Sequence, residues 1–140
     1  MNTRLVALLL MGLSCLLLTA CGEGSDDDGA QAGPVTIDVV RQGWTGWSRE
    51  QPKPITRQVT VSEGESFRVD DLGGEIVFTV KHIDDGRVEL ESSESLSPRE
   101  GDAGVDLRSD QDEFELTADG PLTVTTPTMD AGVTFTLTLV

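Results

Sequence analysis

The chain has 140 residues, 10 basic and 25 acidic, and a formal charge of −15. That balance excludes a molecule that seeks nucleic acid or anionic phosphate surfaces as a whole. Its single histidine, His82, excludes a zinc or copper centre built from several histidines of one chain.

Residues 1–20 carry one positive charge, Arg4, then an apolar run from Leu5 to Leu18, then small residues. This is the three-part layout of an export signal. The run is 14 residues long, short of the roughly 20 that a membrane-spanning helix needs. A cleaved signal is therefore expected. Leu18-Thr19-Ala20-Cys21, with Gly22 behind it, resembles the lipobox of bacterial lipoproteins. The resemblance covers the first 22 residues and implies that the Cys21 thiol is joined to diacylglycerol, that the chain is cut before Cys21, and that the new amino group can be acylated. Two or more acyl chains, at about 0.8 kcal/mol per buried methylene, hold a protein firmly to a bilayer. The implied location is a cell membrane or outer membrane, facing the periplasm or the exterior. An aspartate after the modified cysteine favours inner-membrane retention in this class, so Gly22 leaves the outer membrane open.

Cutting there removes one basic residue and no acid, which leaves 9 basic against 25 acidic residues. It also removes Cys15 and commits Cys21 to lipid, so no disulfide is expected to support the fold. Gly22 to Gly33, GEGSDDDGAQAG, has no large apolar side chain and cannot offset its ordering entropy. It reads as an acidic tether, residues 21–33 with the lipidated cysteine, that holds the domain about 20 Å from the anchor on average.

Residues 34–140 suffice for one domain with a single core. Apolar residues alternate at Val35/Ile37/Val39, Val59/Val61, Phe67/Val69, Ile76/Phe78/Val80, Val88/Leu90, Val105/Leu107, Phe114/Leu116, Leu122/Val124 and Val133/Phe135/Leu137/Leu139. Such alternation places one face of each strand in a core. Glycine and aspartate punctuate the segments at Gly64, Asp71–Gly74, Asp85-Gly86, Gly120 and Gly132. The expectation is an all-β fold, a single antiparallel β-sandwich of eight or nine short strands, with a small closed barrel as the alternative.

Two stretches break the alternation. Gln42 to Ile55 holds both tryptophans among glycines and prolines, and Ser92 to Gly104 is polar; local function is expected in one of them. Charge is divided as well. Residues 34–83 carry seven acids against six bases, while 84–119 carry thirteen against three, so one face or end should be strongly negative.

No cysteine remains for thiol chemistry, there is no Gly-x-Ser-x-Gly elbow, and carboxylates fall on predicted strand faces and turns, so no enzyme is expected and no catalytic residue is assigned. His82 follows the parity of Ile76, Phe78 and Val80 and is expected to lie partly buried at a sheet margin. Asp102, Asp106, Asp110, Asp112 and Glu113 form the densest acidic run; it raises calcium binding as an alternative but lacks the EF-hand order, and Asp106 and Arg108 are expected on the outer side of a strand. Trp44, Trp47 and Arg49, with Arg41, Lys53 and Arg57 nearby, form the one basic and aromatic region. Indoles stack on sugar rings and guanidinium groups grip carboxylates, so this loop could bind a cell-wall glycan or a partner protein. Two exposed indoles would favour binding, and two buried ones packing. The chain thus reads as a lipid-anchored binding or accessory module of a cell envelope, with no cofactor.

Overall fold

A computed structural model describes residues 32–101 and 104–140; Cys21, the signal, the tether up to residue 31 and Asp102 lie outside the described residues. The described residues form nine strands: β1 (Val35–Thr45), β2 (Ile55–Val61), β3 (Ser66–Asp70), β4 (Glu75–Asp84), β5 (Arg87–Ser92), β6 (Ser97–Pro98), β7 (Glu113–Thr117), β8 (Leu122–Thr125) and β9 (Ala131–Leu139). They form two antiparallel sheets, ordered β2-β1-β9-β8-β6 and β3-β4-β5-β7. The sheets face each other as a sandwich and do not close into a barrel.

The residues that alternate in sequence meet in one core. Ile37, Val39, Phe135 and Leu137 from the first sheet pack against Ile76, Phe78, Val80, Leu90 and Leu116 from the second. Each large side chain buried this way stabilises the fold by about 1.5–3 kcal/mol relative to exposure. Phe78 links the layers. Its ring stacks on Phe67 with centroids 5.4 Å apart and meets Phe135 edge-on at 6.0 Å, the offset and T-shaped geometries that aromatic quadrupoles prefer.

Asp85-Gly86 makes the β4–β5 hairpin, with φ of 39° and 79°. Positive φ at both central positions is what a two-residue turn needs to match the strand twist. Four expectations are corrected. Val105 and Leu107 do not form a strand; Asp106 to Ser109 is a turn, in which the Arg108 amide donates to Asp106 Oδ1 at 2.9 Å, so Asp106 and Arg108 do not share a strand face. The ninth strand is instead β6, inside the polar stretch from Ser92 to Gly104 where the alternation breaks. It is held by the fully buried Leu96 and Ser97, and a lone leucine among polar residues carries no periodic signal. Trp44 belongs to β1, which runs on through Thr45. His82 is exposed, because a bulge between Val80 and His82 resets the parity and turns Ile83 inward. The Glu63 carboxylate caps that bulge, 2.9 Å from His82 Nδ1 and accepting the Ile83 amide at 3.1 Å.

β1 and β9 run antiparallel with Ile37 opposite Leu139 and Thr45 opposite Ala131. The described chain therefore enters the first sheet at the end where Val140 donates to the Thr36 carbonyl at 3.0 Å. Thr45 lies at the other end, about 33 Å away at the rise of an extended strand.

Candidate binding surface

Two loops form the end far from Val35: the β1–β2 connection, residues 46–54, and the β8–β9 connection, residues 126–130. The Gly46 amide donates to the Asp130 carbonyl at 2.7 Å and ties them together. Side-chain amides do the rest. Gln51 accepts the Thr45 amide at 2.8 Å and donates to the carbonyls of Thr45 and Ser48 at 2.9 and 2.8 Å. Gln42 donates to the Pro52 carbonyl at 2.5 Å. In the second loop Thr126 Oγ1 accepts the Val133 amide at 3.0 Å, and Thr128 Oγ1 donates to the Ala131 carbonyl at 2.5 Å. A loop whose backbone groups are satisfied this way presents its side chains from a fixed frame.

The two indoles part company on that frame. Trp44, half-buried on the outer face of β1, lies over Gly132, its cross-strand partner, and its Nε1 donates to Thr125 Oγ1 at 3.4 Å. A Cβ on Gly132 would stand 2.7 Å from Trp44 Cζ2, so the ring fills the space a side chain would occupy. Trp47 instead stands 77% exposed, and Met129 from the adjoining loop is equally exposed. Arg49 is exposed on the same loop as Trp47. Of the region singled out in the sequence, then, Trp44 packs, while Trp47 and Arg49 face solvent. Met129 escaped notice because it belongs to no alternating segment.

Among the described residues no carboxylate pairs with the basic residues of the region. The described ion pairs are Arg68–Glu75, Lys81–Glu91, His82–Glu63 and Arg87–Glu115, and none involves Arg41, Arg49, Lys53 or Arg57. Arg41 and Arg57 sit on the inner face of the first sheet. Arg57 lies opposite Val39, and Arg41 opposite Ile55, which makes them diagonal neighbours about 7–8 Å apart. With Ile55, Val39, Val69 and Asp70 they line a narrow cleft of about 40 Å³ between the sheets at the β2–β3 side. Arg41 is oriented by its Nε, which donates to the Asp70 carbonyl at 2.7 Å.

The negative surface lies on the other sheet. Glu89 stands opposite Glu115, and Glu91 opposite Glu113. Lys81 Nζ donates to Glu91 Oε2 at 2.7 Å, and this hydrogen bond, reinforced by the carboxylate's charge, holds Lys81 above its ordinary pKa. Of the acidic run, Asp106, Asp110, Asp112 and Glu113 are exposed, and among the described residues no three carboxylates, histidines or cysteines converge in a way that could hold a metal ion. Comparison with protein-family models, with curated proteins and with solved structures found no match.

Proposed function

We propose that the chain is a lipid-anchored binding module of a bacterial cell envelope. Cys21 would hold it to the bilayer, and the Trp47–Met129 end would engage a partner. The supporting observation is the placement of two large apolar side chains, each 77% exposed, on loops pinned to each other at the end far from Val35. Exposed aromatic and methionine side chains on a fixed frame are the kind of anchor that interfaces use. The energetic cost of presenting them to water is about 25 cal/mol per Å² of apolar surface, and a partner that covers them recovers it.

The test is a photocrosslinker placed at Ser48 in intact cells, compared with the same protein carrying Trp47→Ala and Met129→Ala. A defined adduct that disappears in the double variant supports the reading, and an adduct pattern indifferent to both substitutions overturns it. Intact-mass analysis of the natural product tests the anchor: diacylglycerol on residue 21 and loss of residues 1–20 are expected. A second reading is favoured by the open indole of Trp47. Such a face stacks on a sugar ring, so peptidoglycan fragments should quench tryptophan emission in the wild type but not in Trp47→Ala if the partner is a glycan.

A further inference from the structure

We infer that the free edge of β2 is a strand-addition site for an extended, acidic segment of a partner protein, whose carboxylate enters the cleft between Arg41 and Arg57. This surface lies on the side of the sandwich rather than at the Trp47 end, and the inference stands independently of the function proposed for that end. Three observations meet there.

The first is an uncovered edge. Among the described residues β2 pairs with β1 alone, and over its seven residues none of them pairs with its other side. Natural sheets blunt such edges by shortness, proline or bulges. On the opposite side of the same sheet, β6 is two residues long and ends in Pro98, whereas β2 is regular throughout. The second is an uncovered inner face. Ile55 and Arg57 point the same way as the half-buried Val59 and the core residue Val61, yet both are exposed, because the second sheet approaches them only at Val69 and Asp70 across the cleft. An added strand would lay alternate side chains over these positions. The third is charge. Arg41 and Arg57 are diagonal neighbours with no described carboxylate partner in a chain that has 25 acidic residues. Two like charges on one face repel, and a carboxylate between them removes the repulsion and gains bidentate hydrogen bonds. Main-chain pairing supplies affinity in strand addition, and side-chain pockets supply the choice of partner; here the pocket selects for acid.

An inward-pointing charge on an edge strand has a competing role, as a guard against self-pairing. The experiment separates the two. The full chain in detergent is mixed with a blocked peptide as long as β2 that alternates threonine with glutamate, or with its threonine–lysine counterpart, and hydrogen exchange is followed by mass spectrometry. The glutamate peptide should slow exchange across residues 55–61, the lysine peptide should not, and the protection should weaken at least tenfold in Arg57→Ala and fall with added salt. Trp47→Ala should leave it unchanged. Arg57 is exposed, so its variant should melt with the wild type, which establishes that a loss reflects binding. Equal protection by both peptides, or none by either, overturns the inference. So does an Arg57→Ala protein that self-associates while the wild type binds no peptide, since Arg57 is then only an edge guard. Acetate that displaces the glutamate peptide at equal carboxylate concentration would reduce the site to an anion site and overturn strand addition.

Discussion

Gly132 shows how one missing side chain decides the role of another. The ring of Trp44 lies where a Cβ would project, and Thr128 Oγ1 would stand 2.6 Å from that atom. Real Cβ atoms do not tolerate such distances, so Gly132→Ala should force Trp44 or the 126–130 loop outward and cost about 1–3 kcal/mol, the usual range for overpacking. A denaturant melt of the variant checks this, and an unchanged midpoint would mean that the loop yields freely. The same pair explains what the sequence could and could not reveal. Two tryptophans three residues apart look equivalent in a string of letters. They differ because Trp44 is the last outward position of β1 opposite a glycine, and Trp47 lies two residues beyond the strand's end. That difference depends on a pairing between residues far apart in the chain, which no local pattern records. His82 failed for a related reason: its parity was sound until a bulge inserted a residue, and the bulge is fixed by Glu63 from the turn between β2 and β3.

At the scale of elements, alternation found every strand that buries one face along its whole length. It missed β6, whose hold on the sheet is Leu96 and a pair of residues. It also produced a false strand at Val105 and Leu107, where the apolar side chains fall in a turn region and Leu107 is left exposed. Periodicity reports a two-sided surface, and it is silent about a plug. The β5–β7 ladder makes a prediction of its own. Its outer face sets Glu89 against Glu115 and Glu91 against Glu113, and like charges directly opposed on neighbouring strands are destabilising. Lys81 relieves Glu91, at 2.7 Å, and Arg87 approaches Glu115 at 3.5 Å. Glu89 has no such partner among the described ion pairs. Replacing it with threonine, a residue suited to an exposed strand position, should stabilise the domain by about 0.2–1 kcal/mol. Thermal unfolding of Glu89→Thr checks this, and a loss of stability would show that the carboxylate is satisfied in a way the ladder does not reveal.

For the molecule as a whole, the predicted division of charge takes a definite form. Arg41, Arg49, Lys53 and Arg57 gather on β1, β2 and their loop, while glutamates cover the outer face of the β4–β5–β7 region. The net charge of −15 means that repulsion dominates at long range. Salt should therefore stabilise the fold. Going from about 0.01 to 0.15 M ionic strength shortens the screening length from about 30 to 8 Å, and each kcal/mol gained should raise the Tm by roughly 4–8 °C in a domain of this size. A Tm that falls with salt would mean that the exposed ion pairs outweigh the repulsion.

The pairing of β1 with β9 carries one more consequence. Strands β1 and β9 are neighbours inside the five-stranded sheet, so that sheet cannot be completed until synthesis has reached β9. Contacts this distant in sequence slow folding. If the chain is exported as proposed, a topology that postpones closure of the sheet to its ninth strand keeps the polypeptide threadable through a translocation channel until β9 is made.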